Sequence, residues 1–443
     1  MSQPRSTRPR LLQAMLDAFR LPDLRRRILI TLGLVVVFRF VAHIPLPGVN
    51  TTALSNLFNP STGNALLGML DLFSGGALKN FSVAAMGVYP YITASIIMTL
   101  MVPVIPQLQA MSQEGEAGRD RMNRITHWLT IPMAGLQGWG QIVILRRDNV
   151  IATAGAVPTI AMICALIAGT VFLVWLGELI TEHGIGNGVS IIIFAGIVAG
   201  YPQLVSTGLV SGGTTAGLIV YGLISLGTIV AIVIFTEAHR RIPVQYAKTT
   251  FRGGRMYRQS GATHIPIRVN AAGMIPLIFA VSIVLFPSVI ASYFMRPQGS
   301  PGNAANFIYN LFNPSAALPL GLVYWVLYFV LVIGFTFFYT IVIFQQQDLA
   351  GTLQRQGGFV PGVRPGKHTA DYLNHVINRI TWAGALYLAV VAIIPFLARE
   401  ITSVQAIQLS SMGLLIVVGV ILDTMKQMEA QLVMRRYEGF IKL

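Results

Sequence analysis

Ala65-Leu66-Leu67-Gly68-Met69-Leu70-Asp71-Leu72-Phe73-Ser74-Gly75-Gly76-Ala77 is an apolar segment that breaks before it can cross a membrane. Its apolar part runs for only about two helical turns, whereas a spanning helix needs roughly 20 apolar residues. A full-length apolar segment then begins near Phe81. Backbone that stops at membrane depth is tolerated only where it is buried in protein or lines a water-filled cavity. Residues 64–78 are therefore expected to form a wall, gate or plug of such a cavity.

The chain around this segment is 54% hydrophobic and only 11% charged over 443 residues, which excludes an ordinary soluble globular protein. Ten apolar segments are long enough to span, at about 25–43, 80–103, 125–145, 157–180, 186–208, 215–237, 271–293, 317–344, 379–398 and 409–427. If the N-terminus is cytoplasmic, the inner segments hold 25 basic residues and the outer loops only Lys79, Arg146, Arg147, Arg296 and Arg399. That asymmetry predicts cytoplasmic termini, because positive charge stays inside. The formal charge of +15 then reflects topology and a basic inner face. Residues 1–27 carry seven arginines and lack the short apolar core and small-residue site of a cleaved signal. Cys164, the sole cysteine, is read as a small core residue.

Two inner loops exceed the length of mere turns. Loop 237–270 carries Arg240, Arg241, Lys248, Arg252, Arg255, Arg258 and Arg268, interleaved with Tyr246, Phe251 and Tyr257. Loop 345–379 carries Arg355, Arg364, Lys367 and Arg379 around the turn-rich Pro361-Gly362-Val363-Arg364-Pro365-Gly366. Connections of that length are usually functional. Ten spans divide as five plus five, and an odd-numbered half forces the halves into inverted orientation. The expected units are a segment 1–24, a first half 25–208 that includes 64–78, a second half 209–427 and a tail 428–443. The fold class is all-α and polytopic.

Catalytic signatures are scarce. Arg39 and Glu178 are the main ionisable residues at membrane depth, with Glu237 and Asp423 near span ends. Such residues are functional candidates by default; a structural ion pair or snorkelling is the simpler reading here. Gly362-Val363-Arg364-Pro365-Gly366-Lys367-His368 has one residue too few between its glycines for a phosphate loop, and His368 stands where Ser or Thr should hold magnesium. Gly184-Ile185-Gly186-Asn187-Gly188 reads as a tight inter-helix turn. The seven histidines are scattered, with no metal-ligand spacing. Neither enzyme, metal nor cofactor is expected.

Several strings resemble the SecY family, the channel subunit of the general protein-secretion machinery. They include Phe38-Arg39 with Ile44-Pro45-Leu46-Pro47-Gly48, then Phe73-Ser74-Gly75-Gly76-Ala77-Leu78, and Pro90-Tyr91-Ile92-Thr93-Ala94-Ser95-Ile96-Ile97. Glu114-Gly115-Glu116-Ala117-Gly118-Arg119 follows, then Trp175-Leu176-Gly177-Glu178, Thr181 to Gly188, and Arg240 to Lys248. Gly357 to Gly366 completes the set, and the strings run in order from about residue 10 to 443. Ala238-His239, Phe344-Gln345-Gln346-Gln347 and Thr99 depart from the family pattern without disturbing it.

The resemblance implies an hourglass of two inverted five-helix halves in a bacterial plasma membrane. A narrow aliphatic ring would comprise Val88, Ile92, Val189, Ile193, Ile278 and Ile416; such a constriction excludes ions by dewetting yet offers a passing chain no hydrogen bonds. A plug outside it would include Leu66, Leu70, Phe73, Ser74, Gly75 and Gly76, the glycines letting it swing aside. A lateral gate would lie between spans two and three and spans seven and eight. Thr93, Thr99 and Asn270 are its polar candidates, with helix capping or helix–helix hydrogen bonding as the alternative. At such a gate a segment of about ten Leu-like residues gains roughly 3–6 kcal/mol from lipid, and one central Arg or Asp removes about 3 kcal/mol. Lys248, Arg252, Arg255, Arg268 and Arg364 would contact a ribosome or the SecA ATPase, with Arg364 coupling the motor. Further implied partners are SecE, SecG, signal-bearing secretory chains and membrane lipids. The rival reading is an inverted-repeat secondary transporter, which would need more buried charge at a midplane site.

Overall fold

A computed structural model of the chain describes residues 21–58, 71, 74–147, 149–151, 155–210, 215–252, 255–273, 275–294, 304–313, 320–347, 349–402 and 408–441. Among them, a helix occupies each of the ten apolar segments. The first half comprises α1 (Pro22–Val41), the short α2 (Thr51–Leu57), α3 (Tyr89–Met101), α4 (Pro106–Gln113), α5 (Glu116–Arg147), α6 (Ala156–His183) and α7 (Gly188–Val210). The second comprises α8 (Thr215–Glu237), a hairpin of β1 (His239–Arg252) and β2 (Arg255–Arg268), α9 (Ile275–Phe294), and the short α10 (Ala304–Leu311). It continues through α11 (Leu320–Gln347), α12 (Leu349–Arg355), β3 (Gly358–Phe359), α13 (Lys367–Thr402) and α14 (Gln408–Ile441).

Exposed apolar side chains cover the outer faces. On α8 they recur at Ile219, Leu223, Leu226, Val230 and Ile234, a helical stripe facing outward. In lipid such a surface needs no protein cover. The same logic corrects the placement of Cys164, which is exposed rather than in the core. A small apolar residue on a spanning helix faces lipid as readily as protein.

The second span differs from its expected extent. Residues 77–88 are not helical but a run of turns, with Phe81 and Gly87 at positive φ (40° and 56°). The helix starts only at Tyr89, where Pro90 is tolerated because first-turn N–H groups have no intrahelical acceptor. At 13 residues, α3 covers only about 20 Å. Pro103 lies in the turn that follows, and the chain bends by 103° into α4. The irregular stretch obeys the rule for membrane-depth backbone: Ala77, Leu78, Phe81, Ser82, Ala84, Ala85, Met86 and Val88 are all buried. Its hydrogen bonds go to the Ile44-Pro45-Leu46 strand-like segment, where Leu46 N–H donates to Phe81 O (3.0 Å) and Val83 N–H to Ile44 O (3.1 Å). The proline-rich string after Arg39 therefore acts as a brace for the broken span.

Loop 237–270 is a two-stranded antiparallel hairpin, His239 opposite Arg268 and Arg252 opposite Arg255. β3 adds to the other edge of β1 through Gln245↔Phe359 and Tyr246↔Gly358, giving the order β2-β1-β3. Ile242, Val244 and Ile267 pack with Leu353, Val360, Leu373 and Ile377 in a separate apolar core. The two long basic loops thus form one folded unit.

Candidate channel, plug and gate

The expected ring residues lie on, or directly before, four helices and fall in or against the main apolar cluster. Val88, Ile92, Ile193 and Ile416 are buried members of it, and Val189 and Ile278 pack against it half-buried. Val88 is the residue before α3 rather than within it, yet Ile92 N–H donates to its carbonyl at 3.0 Å. The four-residue spacing therefore still stacks both side chains on one face, as it does for Val189 and Ile193 in α7.

A cavity of about 510 Å³ adjoins the helices of this cluster, lined by Ser190 of α7, Asn270 and Ile275 at the start of α9, Tyr339 of α11, and Val420 and Asp423 of α14. Ser190 and Val420 lie within about one turn of the ring positions on their helices. The cavity lies beside the helices that carry Val189, Ile193 and Ile416. Arg268 and Lys426 also line it, and Lys426 pairs with Glu237 at 2.9 Å.

Among the described residues, the main contacts between the halves are at two places. On one side α9 meets α3 and α5; on the other α7 meets α14. At the first, the Tyr89 hydroxyl is hydrogen-bonded to Ser282 across the seam. Thr93 accepts from Gln137 of α5 (3.3 Å) and donates to Tyr89 O (3.0 Å), so it ties α3 to α5. Thr99 donates to Ser95 O of its own helix (2.8 Å). Asn270 lines the cavity with its side-chain oxygen buried and without a partner among the described residues. Tyr89 and Ser282 were not singled out by sequence; their signal is a hydroxyl on each of two apolar helices that face one another.

The plug segment is described from Ser74 onward, together with Asp71; Leu66, Leu70 and Phe73 lie outside the described residues. Ser74 is buried, donating to Asp71 O (3.0 Å) and accepting from Leu78 N–H (3.0 Å). Gly75 and Gly76 both adopt positive φ, 72° and 81°, the left-handed region open to glycine at no steric cost. Gly76 N–H donates to Asp71 O (2.9 Å), and Asp71 Oδ1 accepts from Lys79 N–H (2.9 Å). Arg39 reaches in from α1 and donates to Gly75 O at 2.6 Å. The other charge at membrane depth, Glu178, pairs with His127 at 3.0 Å. Among the described residues no group of His, Cys, Asp and Glu could hold a metal.

In the hairpin unit, Arg268 closes β2 opposite His239 and is exposed. Lys248, Arg252 and Arg255 lie on the two strands. Arg364 is exposed on a turn between Gly362 and Gly366 (φ 83° and 98°), its carbonyl accepting from the Thr369 hydroxyl at 2.8 Å.

A SecY family model matches residues 82–425. The chain belongs to the SecY family. The SecY protein translocase subunit of Streptomyces scabiei is 40% identical over 448 residues, covering 98% of this chain and all of that one. Two solved structures share the fold at 15% identity, each covering 95% of this chain and 97% of its own. One, with a TM-score of 0.64, is a SecY protein whose plug domain is described as stabilising the closed state of the translocation channel and maintaining a membrane seal. The other is Sec61 in a canine ribosome–channel complex, with a TM-score of 0.60. Membership of the SecY family leaves the secondary-transporter reading without support.

Proposed function

We propose that this chain is the channel subunit of a protein translocase, passing unfolded secretory polypeptides through the aliphatic ring and releasing hydrophobic segments to lipid between α3/α5 and α9/α11. The observation that supports this reading is that all six ring residues lie in or against the main apolar core, whose helices also wall a cavity of about 510 Å³. Branched aliphatic walls seal against ions and hold no passing backbone. The residues around 64–78 act as a plug. Asn270 is the polar gate residue favoured by its unpartnered oxygen, and Thr93 stiffens the α3–α5 side.

The driving energy comes from outside the chain, which is not itself an enzyme. The hairpin unit, with Lys248, Arg252, Arg255, Arg268 and Arg364, offers a basic surface on a rigid base for the SecA ATPase and the ribosome. SecE and SecG complete the complex. The excess of Lys and Arg on one side supports a cytoplasmic side for both termini and this unit, in a bacterial plasma membrane. The units are 1–24, 25–208, 209–427 and 428–443.

Site-specific crosslinking from positions 92 and 193 to a stalled secretory chain tests the pore. Both positions are expected to capture the chain. Capture from neither removes the ring from the translocation path.

A further inference from the structure

Arg39 sits in the last turn of α1, within an apolar helix where a charge is costly. Among the described ion pairs none includes it. Its bonded partner is a backbone carbonyl, that of Gly75, at 2.6 Å, with its guanidinium 5.8 Å from the centre of the Phe38 ring. The Gly75 backbone is enclosed from another side as well. A Cβ on Gly75 would lie 2.7 Å from Gly196 Cα and 3.0 Å from the Phe38 ring, and a Cβ on Gly196 would run into Gly75 Cα. Two backbones touch here with no side chain between them. Gly196 belongs to α7, three residues beyond the ring residue Ile193 and so about one turn along the same helix.

We propose that Arg39 and Gly196 form the clasp and seat of the plug, with Arg39 as a positioning residue that fixes the closed state through the Gly75 carbonyl. This rests on reading residues 64–78 as a plug. The turn beyond Gly75 is tied to itself through Asp71, Ser74, Leu78 and Lys79. Among the described residues, the Arg39 hydrogen bond and the Gly196 contact are contacts that break when the plug leaves. Both are made with the first half, on α1 and α7. Because Gly196 and Ile193 share α7, a chain that pushes α7 outward widens the ring and withdraws the seat in one movement. Ring opening and plug release are coupled through a single helix.

The test is resting ion leak through purified channel in sealed vesicles without substrate. Arg39→Met removes the donors and Gly196→Ala adds one methyl group to the seat without altering charge. Each is expected to raise leak roughly tenfold, a population shift equivalent to about 1.4 kcal/mol, and Arg39→Lys to fall between. A channel lacking residues 65–72 is the reference and is expected to leak by itself. In that background Arg39→Met adds nothing, which a general loss of structure would not produce. Wild-type leak in both Arg39→Met and Gly196→Ala, with a leaking deletion, overturns the clasp and leaves the plug standing. Additive leak in the deletion background overturns it equally. A deletion that stays tight removes the plug reading itself.

Discussion

Asp71 occupies a place where a carboxylate is hard to keep ionised. Burial pushes its pKa up to about 6, although the Lys79 N–H and charge, the Ser74 hydroxyl and the Leu78 N–H all pull it down. Arg39 also attracts it from α1. When the plug leaves, Asp71 is rehydrated and returns towards the ordinary value of about 3.9. Between these values the seated plug binds more protons than the displaced one, so acid favours the seat. That advantage fades as pH rises and is gone above about 6. Resting leak is therefore expected to be lower at about pH 5 than at about pH 7.5 in the parent channel, and flat over that range in Asp71→Asn. A leak that rises on acidification, or an Asp71→Asn channel with the parent's slope, contradicts the assignment. Sequence alone offered Arg39 as a costly charge and Gly75 as a hinge. Their pairing was hidden because a donor and a carbonyl 36 residues apart leave no pattern along the chain.

The hairpin unit shows at the level of elements what the sequence reveals and what it conceals. Long apolar helices are legible because roughly 20 residues of oil-soluble side chain have few other uses. The irregular backbone at 74–78, the described end of the expected break, is legible for the same reason. The strands of 239–268 were not, since their side-chain alternation is diluted by arginines; the local clue was Gly253-Gly254 between them, the composition of a two-residue turn. The start of α3 was misread because hydropathy does not distinguish a buried coil from a helix. What stabilises the unit is its own small core, in which Leu353 is 4% exposed and Val244 fully buried. Leu353→Ala is expected to cost about 2–5 kcal/mol locally, loosening β3 and the Arg364 turn while the spans remain intact. ATP-driven export should fall sharply in Leu353→Ala and be lost in Arg364→Glu, with limited proteolysis at 345–366 increased only in the former. Normal export by Arg364→Glu sinks its role in motor coupling.

At the scale of the whole molecule, the two contacts between halves are chemically unlike. The rear contact of α7 with α14 is close: a Cβ on Gly186, in the turn before α7, would lie 3.1 Å from Thr424 Oγ1 of α14. The front contact places α9 against α3 and α5, with the Tyr89–Ser282 hydrogen bond across it. A neutral hydrogen bond contributes only about 0.5–1.5 kcal/mol net, less than the roughly 3–6 kcal/mol that a strongly apolar signal gains from lipid. Under the proposed function the front seam is the side that a signal segment opens, with the rear as the hinge. Covalent tethers separate the two roles once exposed Cys164 is replaced by serine to leave no competing thiol. A short reducible tether between Tyr89→Cys and Ser282→Cys is expected to stop export of signal-bearing chains, and reduction to restore it. The same tether between Asn187→Cys and Thr424→Cys, across the rear, should leave most export intact. Equal blockage at both sites means that the halves separate as rigid bodies rather than opening about one edge. Unimpeded export through a front-tethered channel removes α9 from the gate altogether.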